Sequence, residues 1–273
     1  MSPRTTIGVF DSGFGGLTVL RALLPLVPNA HYIYLGDTAR LPYGAKSQTT
    51  IARYAVESAK FLEDNGADRL VIACNTATAL ALPDITDHVG IPVTGVIAPG
   101  AQAALAAATN TDILVLATAA TVASHAYRDV AATFGLQAHE KACPLLVPLV
   151  EEGWTQHPVL FDVLRIYLRE ALDEMRALGQ TPSAVLLGCT HYPLIAGPVA
   201  ELLRELGSDA RVVDSADATA RAVTAAMNLP AATTTADATF NCYATDSVEK
   251  FARLGSLFLQ REIAEVQLLD LGG

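Results

Sequence analysis

The sequence predicts an α/β protein with two pseudo-symmetric domains, each built on a mainly parallel sheet. Short apolar runs alternate with longer segments of helical character along the 273 residues, which is the pattern of consecutive βαβ units. The runs are continuously apolar, as expected of strands covered on both faces. One strand-like run ends in Ala73-Cys74-Asn75-Thr76 and a later one ends in Gly188-Cys189-Thr190-His191. The repeat, 115 positions apart (189 − 74), favours a duplicated design.

Each predicted element follows from its composition. Apolar runs of about four to eight residues indicate strands, and the longer segments between them have helical spacing, with an alanine-rich stretch that favours a helix. The predicted strands are 6–10, 32–35, 70–73, 93–97, 113–116 and 184–187. The predicted helices are 17–27, 49–63, 76–82, 101–108, 122–134 and 194–206, and the tail 251–271 reads as a helix and a short strand.

Composition and charge exclude several classes of partner. The 28 acidic and 18 basic residues give a net charge of −10, with no run of Lys or Arg. We therefore expect no binding to nucleic acid or to an anionic membrane surface. The N-terminal region has no apolar segment long enough for a signal peptide, and four widely spaced cysteines indicate free thiols. The expected location is the cytoplasm.

Polar, small and thiol side chains gather where the predicted strands end. In parallel α/β sheets, ligands bind outside the carboxyl ends of the strands. The sequence therefore predicts a pocket for a small polar molecule at these ends. The strand ends carry Asp11-Ser12, Asp37, Cys74-Asn75-Thr76, Thr118 and Cys189-Thr190-His191.

The two strand-end cysteines are the sharpest chemical signal. At a helix N-terminus, the dipole and unpaired amides can lower a thiol pKa from about 8.5 towards neutrality, which suits general acid/base work. Two such thiols on opposite faces of a ligand would invert a stereocentre, one removing a proton and the other donating one. A buried cysteine is often only packing, but Cys74 and Cys189 occur in matching contexts.

Other chemistries have weaker support. Gly13-Phe14-Gly15-Gly16 with Asp37 resembles a dinucleotide fingerprint, but Thr18 stands where the third glycine belongs and Asp11 would repel a pyrophosphate. No Cys-x-x-Cys pair or Gly-x-Ser-x-Gly motif occurs, so we expect neither a metal site nor a serine triad. Cys143 and Cys242 do not sit at a clear strand-to-helix turn and are interpreted as structural.

Several longer strings resemble the glutamate racemases of the aspartate/glutamate racemase superfamily, in the same order along nearly the whole chain. The strings are Ile7-Gly8-Val9-Phe10-Asp11-Ser12-Gly13-Phe14-Gly15-Gly16, Gly36-Asp37-Thr38-Ala39-Arg40-Leu41-Pro42-Tyr43-Gly44, Ala73-Cys74-Asn75-Thr76-Ala77-Thr78, Val147-Pro148-Leu149-Val150-Glu151-Glu152-Gly153 and Leu187-Gly188-Cys189-Thr190-His191-Tyr192-Pro193.

The resemblance implies interconversion of L- and D-glutamate without any cofactor, supplying D-glutamate for peptidoglycan. It also implies the site residues. The implied catalytic residues are Cys74, acting on the D-enantiomer, and Cys189, acting on the L-enantiomer, assisted by Asp11 and His191. The implied substrate-binding residues are Asp11, Ser12, Tyr43, Gly44, Asn75, Thr76, Thr118, Thr190 and His191, with Asp37 and Glu151 as further members.

The family fold implies two α/β domains with the active site in the cleft between them. On this basis, residues 1–98 and 211–273 form the first domain and residues 99–210 form the second. The family also implies a homodimer. Two alternatives stay open: an aspartate or broad-specificity amino-acid racemase, since pocket size is not readable from sequence, and a nucleotide- or small-ligand-binding α/β module.

Overall fold

The computed structural model describes residues 4–227 and 238–272. The chain divides into two compact units, one formed by Met1–Val96 with Thr219–Gly273 and the other by Ile97–Ala218. The predicted domain limits, 1–98 with 211–273 and 99–210, stay a prediction.

The first unit contains a six-stranded sheet in the order β10-β9-β2-β1-β3-β4, and every strand pair in it is parallel. Its strands are β1 (Thr6–Asp11), β2 (His31–Gly36), β3 (Arg69–Ile72), β4 (Val93–Gly95), β9 (Thr239–Ala244) and β10 (Val266–Leu268). Its helices are α1 (Leu17–Leu23), α2 (Gln48–Asp64), α3 (Asn75–His88) and α11 (Val248–Leu259).

The second unit contains a four-stranded parallel sheet in the order β6-β5-β7-β8. Its strands are β5 (Asp112–Ala117), β6 (Gln137–Ala142), β7 (Ala184–Gly188) and β8 (Arg211–Asp214). Its helices are α4 (Ile97–Ala107), α5 (Ala119–Ser124), α6 (Ala126–Thr133), α7 (Leu146–Glu151), α8 (Pro158–Ala177) and α9 (Ala196–Glu205). The boundary between the units falls within α10 (Ser215–Ala226).

The two sheets share one topology. In the first, β1 lies between β2 and β3, and β4 follows β3; in the second, β5 lies between β6 and β7, and β8 follows β7. Cys74 follows β3 and Cys189 follows β7, so the two cysteines occupy equivalent positions in the two sheets. The predicted parallel α/β architecture and its pseudo-symmetry are confirmed.

The helices cover the sheets with periodic apolar faces. On α2, Ile51, Ala55, Ala59 and Leu62 recur at three- and four-residue spacing and are fully buried. Ser47 begins this helix by accepting a hydrogen bond from the Thr50 N–H, at 3.4 Å. No helix in the described ranges is both long enough and apolar enough to cross a bilayer.

The structure differs from the predicted elements in three ways. The predicted strand 93–97 stops at Gly95 because a helix begins at Ile97. The predicted helix 122–134 is two helices, since His125 adopts a left-handed conformation with φ of 57° that interrupts the hydrogen-bond ladder. Strands β6, β8 and β9 and helices α7, α8 and α10 were not predicted. The sequence of β6 is mostly polar and lacks the apolar run that marks the buried strands.

Candidate active site

In the first unit, the ends of the neighbouring strands β1 and β3 bring Asp11, Ser12 and Cys74 together. Cys74 precedes α3, and its sulfur accepts a hydrogen bond from the Ala77 N–H at 3.4 Å. The same thiol donates to the Ser12 hydroxyl oxygen, also at 3.4 Å. Asp11 Oδ2 accepts a hydrogen bond from the Gly13 N–H at 2.9 Å. The thiol therefore caps the N-terminus of α3 and lies within hydrogen-bond distance of the Ser12 hydroxyl.

Burial governs the acidity of Cys74. Its removal from water, together with the nearby Asp11 carboxylate, raises the pKa of the Cys74 thiol to about 12, although hydrogen bonds from Ser12 and Ala77 act in the opposite direction. The expectation from the sequence, a pKa lowered by the helix N-terminus, is wrong for this cysteine. Cys74 does lie at a helix N-terminus, as predicted, but desolvation raises its pKa more than the hydrogen bonds there lower it. Burial therefore favours the protonated form of Cys74.

Gly16 permits the close packing of the β1 end against the β3 end. A Cβ at this position would lie 2.6 Å from Asp11 Cβ and 2.8 Å from Ala73 Cβ, so any side chain here would clash with both residues. The glycine-rich loop therefore lets α1 begin directly beside the Asp11 carboxylate and the backbone that leads to Cys74. Tyr34 adds a further restraint by donating its hydroxyl to the Gly13 carbonyl at 3.1 Å.

Tyr43 and Asp37 form a second buried group in this unit. The Tyr43 hydroxyl donates to Asp37 Oδ2 at 2.6 Å, and the Thr245 hydroxyl donates to Asp37 Oδ1 at 2.9 Å. Burial raises the pKa of Asp37, while the hydrogen bonds from Tyr43 and Thr245 and the charge of Arg40 oppose that shift. Burial raises the pKa of Tyr43 strongly, and the Asp37 carboxylate adds to it.

The remaining predicted residues of the first unit follow β3 or Tyr43. Asn75 and Thr76 form the first turn of α3 and are almost fully buried. Gly44 follows Tyr43 in a short 3-10 turn, Tyr43–Ala45.

In the second unit, Cys189, His191 and Glu151 form a chain of polar contacts. Cys189 follows β7, and its sulfur lies 3.9 Å from His191 Nδ1. The other ring nitrogen, Nε2, lies 3.2 Å from a carboxylate oxygen of Glu151, which is the last residue of α7. The Thr190 hydroxyl lies 3.5 Å from His191 Nδ1. A carboxylate thus holds the imidazole, which in turn faces the thiol.

The imidazole is charged at neutral pH. Burial lowers the pKa of His191, but contacts with Cys189 and Glu151 outweigh burial and raise the pKa to about 10. The positive charge of the imidazole therefore lies beside the sulfur of Cys189. The two cysteines therefore have different partners: a carboxylate and a hydroxyl beside Cys74, an imidazolium beside Cys189.

Thr118 caps the helix that follows β5. Its hydroxyl accepts a hydrogen bond from the Thr121 N–H at 3.4 Å and lies 2.9 Å from the Thr121 hydroxyl. Since β5 is the neighbour of β7, Thr118 stands at the same carboxyl-end edge as Cys189. Capping and substrate contact are compatible roles for this side chain.

One interpretation of the other cysteines needs correction. Cys143 does lie at a strand-to-helix turn, directly after the unpredicted β6 and before α7. It is fully buried, and burial raises its pKa to about 12. Cys242 lies within β9 and is buried. Within 4–227 and 238–272, no group of three or more His, Cys, Asp or Glu side chains is arranged to hold a metal ion.

Sequence reasoning missed the residues that hold Asp37. Thr245 is 208 positions away in the chain, and Arg40 is one charged residue among 46. Only the pairing of β9 with β2 brings Thr245 to the end of β2. No local signal in the sequence marks such a partner.

The fold and the polar and thiol side chains at its strand ends define an α/β protein with candidate binding residues for a small polar molecule. The Asp/Glu/Hydantoin racemase family model matches residues 7–223, and the chain belongs to this family. Among its relatives is a glutamate racemase of Koribacter versatilis, 49% identical over 99% of both chains. A glutamate racemase of Geobacter metallireducens is 38% identical over 98% of both.

Solved structures of glutamate racemases are also similar to this chain. The glutamate racemase of Francisella tularensis, in complex with D-glutamate, has a TM-score of 0.86 and 33% identity and covers 98% of both chains. The Escherichia coli glutamate racemase, in complex with L-glutamate and the activator UDP-MurNAc-ala, has a TM-score of 0.78 and 30% identity over 99% of this chain and 100% of that one. An aspartate racemase of Picrophilus torridus, with 18% identity and a TM-score of 0.57, shares the fold alone.

Proposed function

We propose that this protein is a glutamate racemase that interconverts L- and D-glutamate without a cofactor, with Cys74 and Cys189 as its two acid/base groups. The observation that carries the proposal is the equivalent placement of the two thiols at the ends of β3 and β7. The close full-length relatives are glutamate racemases, and two structural relatives bind D- or L-glutamate.

Cys189 is proposed to act on the L-enantiomer. Its sulfur lies 3.9 Å from His191 Nδ1, so the imidazole faces the group that would remove the α-proton. Glu151 keeps the ring oriented and charged through the contact at Nε2. When the reaction runs from D- to L-glutamate, the Cys189 thiol returns a proton to the α-carbon.

Cys74 is proposed to act on the D-enantiomer. The raised pKa of Cys74 keeps it protonated before substrate binds, which is the form needed to deliver a proton when L-glutamate is converted. For the reverse reaction this thiol must first lose its proton. Approach of the substrate's α-ammonium group would favour that loss, because a positive charge near the Asp11 and Cys74 pair stabilises the thiolate.

The α-proton of an amino acid is very weakly acidic, so the developing carbanion needs fixed hydrogen-bond donors. Helix N-termini at the strand ends supply backbone N–H groups, and side chains beside them add hydroxyl and amide donors. Donors fixed by the fold need no reorganisation as charge develops. The proposed substrate contacts are Asp11, Ser12, Tyr43, Gly44, Asn75, Thr76, Thr118, Thr190 and His191.

The same activity sets the protein's biological role and surroundings. D-glutamate made by this reaction would enter peptidoglycan synthesis, and the cytoplasm is the proposed location of the protein. The excess of 28 acidic over 18 basic residues disfavours nucleic acid and membrane surfaces as partners. A homodimer is the assembly that the family resemblance implies.

Isotope exchange tests the two-thiol mechanism. L-glutamate incubated with the protein in heavy water, with no cofactor added, should give D-glutamate carrying α-deuterium. Substituting Cys74→Ala or Cys189→Ala should reduce racemisation by at least about a thousandfold, since each removes a proton-transferring group. Chiral chromatography with mass spectrometry measures both the configuration and the deuterium.

The controls separate chemistry from folding. Cys242→Ala makes the same change at a buried thiol in β9 and should keep near-normal turnover. Circular dichroism should show an intact fold in all three variants. Near-normal racemisation by Cys74→Ala or Cys189→Ala would refute the two-thiol mechanism. A panel of glutamate, aspartate, glutamine and alanine decides between a glutamate racemase and a broader one, and tight dinucleotide binding without turnover would favour a nucleotide-binding module.

A further inference from the structure

A buried arginine links the Tyr43 turn to a distant part of the chain. Arg40 lies in the turn Thr38–Arg40, directly after Asp37, and its side chain is only 9% exposed. Its Nη2 donates hydrogen bonds to the backbone carbonyls of Leu271, at 3.3 Å, and Gly272, at 2.5 Å. These are contacts across more than 230 positions of sequence.

The same guanidinium is enclosed on its other sides. Nη2 forms an ion pair with Glu57 of α2 at 2.8 Å, and the group stacks over the Tyr54 ring at 4.2 Å from its centroid. Nη1 lies 3.6 Å from Asp37 Oδ2, the carboxylate oxygen that accepts the Tyr43 hydroxyl. The Arg40 guanidinium, held by these contacts, therefore lies beside the Asp37 carboxylate that accepts the Tyr43 hydroxyl.

The segment that receives Arg40 is itself anchored. The Leu269 N–H donates to the Ala244 carbonyl at 2.9 Å, which continues the pairing of β10 with β9. Leu269 and Leu271 pack as partly buried side chains against the apolar cluster of the first unit. These contacts, which do not involve Arg40, position the segment that carries the Leu271 and Gly272 carbonyls.

We propose that Arg40 is a positioning residue for the Tyr43 turn, and that the carbonyls of Leu271 and Gly272 fix it in that role. Arg40 acts through Asp37, which receives the Tyr43 hydroxyl, so the segment 269–272 helps to place a proposed substrate contact. The inference rests on the proposed function, in which Tyr43 and Gly44 contact glutamate.

Two variants test the link. Arg40→Lys keeps the positive charge but loses the planar fork that reaches Asp37, Glu57 and the carbonyls together. A chain that stops after Asp270 removes the carbonyls and leaves Arg40 intact. In each, KM for both enantiomers should rise about three- to tenfold with little change in kcat, because a loosened contact weakens substrate and transition-state binding alike.

The split between KM and kcat distinguishes positioning from mere stability. A purely structural role would lower the fraction of folded protein, and so kcat per mole of chain, while KM stayed constant. Arg53→Lys is the matched control, since the Arg53 guanidinium lies 4.9 Å from the same Tyr54 ring but on the exposed face of α2. It should leave KM unchanged.

Combining the changes and following amide exchange complete the test. Arg40→Lys in the shortened chain should raise KM no further than the larger single effect, because both changes break one link. Hydrogen exchange at the Lys46 amide, which bonds the Tyr43 carbonyl at 3.0 Å, should quicken in both variants but not in Arg53→Lys.

The outcomes are separable. Wild-type protein that fails to racemise glutamate overturns the proposed function and this inference with it. Wild-type activity with an unchanged KM and unchanged Lys46 exchange in both variants overturns this inference alone. Additive KM effects in the double variant would show that Arg40 and the 271–272 carbonyls act separately, which also contradicts the proposal.

Discussion

The two thiols show how one residue type is placed in two different environments. Cys74 is buried beside the Asp11 carboxylate, and both features disfavour its thiolate. Cys189 is equally enclosed, but His191 lies 3.9 Å from its sulfur and carries a positive charge at neutral pH. The two thiols therefore differ in the charge of the group beside them, a carboxylate near Cys74 and an imidazolium near Cys189.

Stability should depend on pH through His191. Its folded pKa, about 10, exceeds the ordinary value of 6.5, so the stabilisation it provides is fully present below pH 6.5 and is lost as the pH rises towards 10. The difference in free energy of unfolding between wild type and His191→Gln should be on the order of a few kcal/mol at pH 6 and shrink steadily by pH 10.

Urea unfolding at pH 6, 8 and 10 measures this difference, because other titrating groups largely cancel between the two proteins. His88→Gln, at the exposed end of α3, is the control and should show no comparable trend. A difference that is constant with pH, or that grows towards pH 10, would contradict the charged state assigned to His191.

At the scale of single elements, glycines decide how closely the strand ends can pack. Gly188 ends β7 immediately before Cys189, and a Cβ there would lie 2.8 Å from Tyr127 Cε2 and 3.1 Å from the Leu116 carbonyl oxygen. The backbone of a neighbouring strand cannot give way as a flexible side chain can. The position of the Cys189 thiol therefore depends on the absence of a side chain one residue earlier.

Gly188→Ala should destabilise the protein by about 1–3 kcal/mol, the usual cost of overpacking a core, and should also lower racemisation by displacing Cys189. Gly197→Ala is the matched control: a Cβ there meets nothing within 4 Å, and the position lies in α9. Alanine should stabilise that helix by up to about 1 kcal/mol and leave turnover unchanged. Equal melting temperatures and activities for the two variants would refute this account.

The elements also show what sequence could and could not predict. The buried strands β1, β3, β5 and β7 were predicted because they are continuous apolar runs ending in polar residues. Strand β6 was missed because its residues, Gln137–Ala142, mix charge and alanine on an edge of the sheet. A continuous apolar run indicates a strand that is buried on both faces. A partly exposed edge strand such as β6 lacks that run, so its sequence does not distinguish it from a loop.

The same limit applies to the candidate site. The sequence predicts Cys74 and Cys189 as site residues because each lies in a short motif whose neighbouring residues also lie close together in the structure. The pKa of Cys74 was predicted in the wrong direction, since desolvation depends on the packing of the whole unit around it. The contacts of Asp37 with Thr245, and of Arg40 with residues 271 and 272, join segments more than 200 positions apart.

At the scale of the whole molecule, the two units differ in how the chain builds them. The second unit, Ile97–Ala218, is one continuous segment with its own four-stranded sheet. The first needs two segments, because β9 pairs with β2 over six residue pairs and the Phe14 ring packs against Phe251 and Phe258 of α11. Continuity should therefore decide which unit can fold without the rest of the chain.

A fragment of residues 97–218 should fold alone, with helical circular dichroism and a cooperative urea transition. A fragment of residues 1–96 should not, because it lacks β9 to pair with β2 and leaves the Phe14 ring without Phe251 and Phe258. Co-expression of 1–96 with 219–273 is the control and should restore a soluble complex. Cooperative unfolding of 1–96 by itself would show that β1 to β4 suffice, and that the returning segment completes the Asp37 network without being needed for the fold.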